Sequence, residues 1–204
     1  MPDRAKSALE IAQRACILAG MNRIESFDEF SSTEAVVLSS IYEDIARDCL
    51  SVMRWNFVTQ RKVLTSRNST APLTGYGAAY TYLGEEPDDV LMVHTIEING
   101  SVVAYDISEN EIHVDANATD EVVMTYSRRV DELFWPAFFV PYVTYRVASV
   151  LAASIVRNAG MAEAFEKMAA IQLSRARNAD GQQVTSRGLK LNRLVSTRSV
   201  GGRR

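Results

Sequence analysis

Pro136-Ala-Phe-Phe-Val-Pro-Tyr-Val-Thr-Tyr-Arg-Val-Ala-Ser-Val-Leu-Ala-Ala-Ser-Ile155 decides the fold. Its large apolar residues, Phe138, Phe139, Tyr142, Val143, Val147, Val150, Leu151 and Ile155, are too many for a single stripe, so a helix here must be covered on more than one side. The apolar run from Ala137 to Val156 is long enough to span a bilayer, yet Pro141, Thr144, Arg146 and two serines interrupt it and no topology signal flanks it. The stretch therefore reads as the central helix of a water-soluble core.

Working outward, Asn158-Ala-Gly160 breaks that helix, and Met161 to Asn178 follows as an amphipathic helix using Ala164, Phe165, Met168, Ile171 and Ala176. At the other end of the chain, Leu9, Ala12, Ala15, Cys16 and Ala19 recur at spacings of three and four, which predicts a helix from Ser7 to Ala19 stopped by Gly20. A second helix begins near Ser31, where Ser31 and Glu34 have the spacing of a capping box. Its apolar stripe is Leu38, Ile41, Tyr42, Ile45, Cys49, Leu50 and Met53, with Glu43, Asp44, Arg47 and Asp48 opposite, and the first two helices are expected to pack on each other.

Between these helical ends the texture changes. From Trp55-Asn56-Phe57 to Tyr126, β-branched and aromatic residues alternate with turn formers, predicting strands near 60–65, 79–83, 89–98, 101–106, 111–115 and 121–127. Asn99-Gly100 tolerates the positive φ of a type I′ turn and should join two antiparallel strands. The expectation is an α+β fold: N-terminal helices of a bundle (residues 1–58), an inserted, mainly antiparallel β subdomain (59–130), C-terminal helices of the bundle (131–180) and an extended basic tail (181–204).

The 204 residues are 47% hydrophobic and 23% charged with mean hydropathy −0.07, ordinary for one globular core. The net charge of −3 hides an asymmetry: residues 181–204 hold six basic side chains and no acidic one, leaving 16 basic against 25 acidic in residues 1–180, a body of −9. Cys16 and Cys49 are too few for a disulfide framework, match no metal-ligand spacing and read as reduced core residues in a cytosolic setting. The first apolar stretch, Ala15 to Ala19, is too short and interrupted for a signal peptide.

Catalytic signatures are missing from the chain. It has no GxSxG, HExxH, Walker or GxGxxG motif, and its two histidines, His94 and His113, lie in predicted strands where a solvent-facing position is the simpler reading. Glu85-Glu86-Pro87-Asp88-Asp89 gathers four carboxylates without the alternation or glycine of an EF-hand, so a solvated acidic loop is favoured over a cation site. Trp55-Asn56-Phe57 is expected to plug the junction between helices and sheet rather than to serve as an exposed contact. No catalytic, metal or cofactor-binding residue is assigned. The basic tail, with Arg187, Leu189, Lys190, Leu191, Arg193, Leu194, Arg198, Arg203 and Arg204, alternates cations with apolar residues, which favours docking on a protein over clamping nucleic acid.

An ordered series of short elements carries a resemblance. Ala8-Leu9-Glu10-Ile11-Ala12, Leu18-Ala19-Gly20, Ile24-Glu25-Ser26-Phe27-Asp28-Glu29, Glu34-Ala35 through Tyr42, and Arg47-Asp48 to Trp55-Asn56-Phe57 and Arg61 fill the first half. Gly75-Tyr76, Tyr80-Thr81-Tyr82-Leu83, Asp89-Val90-Leu91, Tyr126, Arg129-Val130 and Phe134-Trp135-Pro136-Ala137-Phe138 continue it. Over most of residues 7–180 the chain resembles the head-to-tail adaptors of short-tailed bacteriophages, the tail tubular protein A family. Where that family has Leu-Pro-x-Asp, this chain has Leu83-Gly84-Glu85-Glu86-Pro87-Asp88-Asp89.

The resemblance implies a virion structural protein, not an enzyme, made in the host cytoplasm and placed in the tail below the portal vertex. It implies a homo-oligomeric ring, usually of twelve copies, between the portal protein and the tail nozzle protein. Double-stranded DNA would pass through the lumen without sequence-specific binding; no cofactor and no membrane are involved. The partner-binding residues are expected in the basic tail. The competing expectations are a small cell-wall hydrolase built on the carboxylates from Glu85 to Asp89, and a nucleic-acid-binding module using the tail.

Overall fold

The computed structural model describes residues 7–28, 32–68, 75–83 and 89–183. It is an α+β fold of four helices and seven strands among the described residues, with the strands inserted between two pairs of helices. The order is α1 (Ala8–Leu18), α2 (Thr33–Ser51), β1 (Thr59–Val63), β2 (Ala78–Thr81), β3 (Val90–Ile98), β4 (Ser101–Val103), β5 (Asp106–Ser108), β6 (Glu111–Val114) and β7 (Val122–Arg128). A 3-10 turn (Glu132–Phe134), α3 (Val140–Ser154) and α4 (Ala159–Gln182) complete it.

Local chemistry accounts for the helix ends. Ser7 caps α1 by accepting the Glu10 amide at 3.2 Å, and α1 closes in a Schellman motif: Met21 N–H donates to Cys16 O at 2.9 Å and Gly20 N–H to Ile17 O at 3.1 Å, with Gly20 at φ +73°. Past the end of α3, Asn158 starts the next helix, its side chain accepting the Met161 amide at 3.0 Å, so Ala159 and Gly160 lie inside α4 rather than in the expected break before Met161. The cap of α2 is Ser32, one residue later than expected. Its Oγ accepts the Ala35 amide at 3.3 Å and donates to the Glu34 carboxylate at 3.1 Å; Ser31 lies outside the described residues. Glu34 thus sits in the first turn beside the cap, where a negative charge favours the helix dipole.

The helical core centres on α3, which buries Tyr142, Val143, Val147, Ala148, Leu151 and Ala152 at 5% exposure or less. α1, α2 and α4 all lie against it. The expected pairing of α1 with α2 is corrected: these two barely meet, because α3, apolar on several sides, offers each of them more surface to bury. The single charge of α3, Arg146, reaches Glu166 of α4 at 2.6 Å and Asp48 of α2 at 3.3 Å, tying three helices at the core's edge.

α4 is rotated from its expected face. Ala169, Ala176 and Asp180 are its buried residues, with Phe165 and Leu173 half-buried, whereas Met168 and Ile171 are 37% and 47% exposed and Ala164 is exposed. Alanines at 169 and 176 let the α4 backbone approach α3 closely, and that fit outweighs the two larger residues. The helix also runs through Gly181 to Gln182, past the expected start of the tail.

All strand pairings are antiparallel, in two sheets of order β1-β7-β3-β4 and β2-β6-β5. Side chains of both, among them Tyr80, Ile96, Ile112, Val114, Val122, Met124 and Tyr126, share one apolar cluster, so the sheets form a small sandwich. The expected strand 101–106 is two short strands: Ser101–Val103 pairs with β3, the chain then crosses between sheets, and Asp106–Ser108 pairs with β6. A period-two pattern runs on through such a corner, so it does not mark where the partner changes.

The Asn99-Gly100 turn is observed, at φ +49° and +82°. Asn99 is also fastened by its side chain, which donates to Asp120 at 2.9 Å and accepts the Glu121 amide at 3.1 Å. A Cβ on Gly100 would meet no atom within 4 Å, so Gly100→Ala tests backbone strain alone. The expected cost is about 1–2 kcal/mol in urea denaturation with an unchanged slope.

Candidate functional site

Trp55 and Trp135 approach from opposite ends of the β insertion and meet over Phe139. Trp55–Phe139, Phe57–Phe139 and Trp135–Phe139 have ring centroids 5.1 Å apart in edge-on geometry, and both tryptophans are at most 1% exposed. Their indole N–H groups donate to Cys49 O at 3.1 Å and Val130 O at 2.7 Å. Trp55-Asn56-Phe57 therefore plugs the junction of helices and sheet, as its sequence suggests.

A charged lattice crosses the same joint. Arg129, on the strand-to-helix connection, reaches Glu43 of α2 at 2.9 Å and Glu132 at 2.6 Å, and its guanidinium lies 5.5 Å from the Trp135 ring centroid. Tyr42 donates to Glu132 at 3.2 Å. Burial pushes the Tyr42 phenol well up, and the Glu132 charge adds to it. Burial alone would raise the Glu43 carboxyl, but hydrogen bonds and charge from Arg129 and Arg47 outweigh it and hold Glu43 below the ordinary carboxylate range.

At the far end of α4, Asp180 is 1% exposed. Its carboxylate accepts the Asn56 amide at 3.1 Å and Asn56 Nδ2 at 2.8 Å, and Asn56 Nδ2 also donates to Asp180 O at 3.0 Å. The carboxylate stands at the negative end of the helix dipole with no basic residue in its turn, and burial raises its pKa despite the bonds from Asn56. Asp180 thus clasps the last turns of α4, from which the basic tail departs. A raised folded-state value means its contribution is full below the ordinary value of 3.8 and fades as pH rises through the raised one. Asp180→Ala is expected to cost about 1–3 kcal/mol. Denaturation at pH 4 and pH 7 should show the larger loss at pH 4.

The residues weighed for chemistry are dispersed. His94 Nε2 lies 2.8 Å from Ser127 Oγ across β3 and β7, but Ser127 is 1% exposed, so no substrate carbonyl can reach it; burial and the Arg54 charge lower the His94 pKa. His113 is 5% exposed, which corrects the solvent-facing expectation: the expected strand alternation gives way because β6 buries Ile112, His113 and Val114 in succession. Of the acidic stretch, Glu85, Glu86, Pro87 and Asp88 lie outside the described residues, while Asp89 lies 3.6 Å from Arg128. Among the described residues, no group of three or more His, Cys, Asp or Glu could hold a metal ion, and no helix is long and apolar enough to cross a membrane. Cys16 and Cys49 are free and buried, burial pushing their thiols up to about 11 and about 12.

One surface concavity is chiefly apolar. Arg14, Ile17, Leu18, Val140, Pro141, Thr144 and Tyr145 line a groove of about 360 Å³ between α1 and the start of α3, and Ile17 and Leu18 are 62% and 40% exposed. Sequence reading passed over it, although Ile17-Leu18 falls off the α1 stripe and was the available signal. The tail residues Arg187, Leu189, Lys190, Leu191, Arg193, Leu194, Arg198, Arg203 and Arg204 lie outside the described residues. Compared with known proteins, the chain matches no family model and no curated protein sequence.

Proposed function

We propose that the chain is a virion structural protein, a head-to-tail adaptor that forms a homo-oligomeric ring, of twelve copies by the resemblance, between the portal and the tail nozzle. The observation that carries this reading is where the resembling elements sit. Trp55-Asn56-Phe57, Arg129-Val130 and Phe134-Trp135-Pro136-Ala137-Phe138 lie far apart in sequence yet converge on one joint between helices and sheets. These three elements of the series thus share one packing unit, while Tyr80, Tyr82 and Tyr126 of the same series belong to the apolar cluster between the sheets.

Charge supports the same reading. A body of −9 over residues 1–180 suits the wall of a channel along which DNA must slide without adhering, and a tail of opposite sign suits docking on an acidic portal surface. The subunit is not an enzyme in this reading. Because α4 continues to Gln182, the informative truncation removes residues 184–204 and leaves the helix whole. Purified portal should capture the full chain and fail to capture the truncated one; equal capture of both would overturn the tail's role.

A further inference from the structure

α3 and α4 form a hairpin: the Ser149 hydroxyl of α3 donates to Glu166 of α4 at 2.7 Å, and the Tyr145 and Phe165 ring centroids lie 6.2 Å apart. The end of α4 therefore returns to the start of α3. A short chain of contacts leads from one to the other. Asp180 accepts the Asn56 amide at 3.1 Å, the ring of the preceding Trp55 stands 5.1 Å from Phe139, and Phe139 is the cap residue of α3. The first residues of that helix, Val140 and Pro141, wall the apolar groove, and Tyr145 lines it one turn on. The described chain thus ends at Gln183, a few contacts from the groove in which Ile17 and Leu18 are left exposed.

Residues 184–204 continue from that point and lie outside the described residues; their sequence places Leu189, Leu191, Leu194 and Val195 close together. Extended chain covers about 3.5 Å per residue, so the stretch from Gln183 to Leu189 reaches roughly 20 Å, enough to pass from the end of α4 to the groove. A volume of about 360 Å³ is at the lower end of ordinary binding clefts, which suits a few aliphatic side chains rather than the face of a folded partner. Attachment favours the chain's own segment. Tethered beside the groove, it is present at an effective concentration on the order of 1 mM, an advantage that no free partner of equal fit has. Charge adds nothing to the contact, because Arg14 is the charged residue lining the groove and the segment brings Lys190 and Arg193, so apolar burial must hold it.

We propose that residues 189–195 of the tail seat in the groove between α1 and α3 of their own chain, with Leu191 and Leu194 against Ile17, Leu18, Pro141 and Tyr145. The contact lies within one molecule and goes beyond the adaptor reading, since it needs neither a ring nor a portal. A portal that binds the tail must first draw it out of the groove.

The test compares two full-length variants, Ile17→Cys with Leu191→Cys and Ile171→Cys with Leu191→Cys; the native Cys16 and Cys49 are fully buried. Ile171 is the control because it is 47% exposed on α4, about 16 Å along the helix from Gln182 and outside the groove lining. In oxidised glutathione at low protein concentration, the pair at 17 and 191 should close into a covalent monomer at least tenfold faster than the pair at 171 and 191. Trypsin should cut after Lys190 and Arg193 at least tenfold more slowly in the wild type than in Ile17→Ser, a substitution at a position 62% exposed that should leave the circular dichroism spectrum unchanged. Equal closure rates for the two pairs overturn the proposal, as do equal tryptic rates in the two chains. Covalent dimers in place of the closed monomer overturn it in favour of a second copy's tail, and a small molecule carried by the purified chain in native mass measurement, with the tail unprotected, overturns it in favour of a ligand.

Discussion

Phe139→Ala is expected to destabilise the protein by about 3–5 kcal/mol, the range for emptying an aromatic from a core. Phe139 is 0% exposed and is the ring on which Trp55, Phe57, Trp135 and Tyr142 all converge, at 5.1, 5.1, 5.1 and 6.0 Å. Those neighbours belong to both ends of the β insertion and cannot collapse inward without pulling helices away from sheets, so a cavity is left. Differential scanning calorimetry should show the midpoint lowered by on the order of 10 °C for a chain of this size. Val150→Ala, half-buried on the helix that Phe139 precedes, serves as the comparison and should cost much less.

Arg129→Ala is expected to cost about 3–5 kcal/mol, because it strands a negative charge rather than merely removing an ion pair. Glu132 is 10% exposed and would keep only the Tyr42 hydroxyl among the partners described above, while Glu43, 49% exposed, turns to water. Adding Glu132→Gln should recover a good part of the loss, since a neutral amide still accepts from Tyr42. Denaturant titration of the single and double variants measures this coupling directly. The Glu43 carboxyl is held below its unfolded-state value of 4.5, so its contribution is present above that pH and fades as pH falls through the lower folded value. The wild type should therefore lose stability to acid more steeply below about pH 4.5 than the Arg129→Ala chain.

Local rules were enough at several local determinants, though the cap of α2 lies one residue from its expected place. Gly20 and Asn99-Gly100 occupy the left-handed backbone their residue types permit, Asn158 caps the helix that follows it, and five of the strands begin and end within two residues of their expected limits. The excess apolar surface of Ala137 to Val156 correctly marked α3 as the helix that the others cover. What could not be read depended on partners distant in sequence. The working face of α4 is set by how near Ala169 and Ala176 allow it to approach α3, and the division between β4 and β5 is set by which sheet each joins. Asp180, which reads as the last residue before a tail, is a clasp only because Asn56, 124 positions earlier, meets it. The groove is likewise a product of tertiary packing, since the exposure of Ile17 and Leu18 follows from what α3 leaves uncovered.

The central claim is that this chain is a ring-forming subunit that binds a portal. Native mass measurement of the full-length protein, alone and mixed with its portal, tests it most directly. The account predicts a single closed ring bound to the portal, of about twelve copies as the resemblance implies. A chain that remains monomeric in both samples and does not associate with the portal would contradict it.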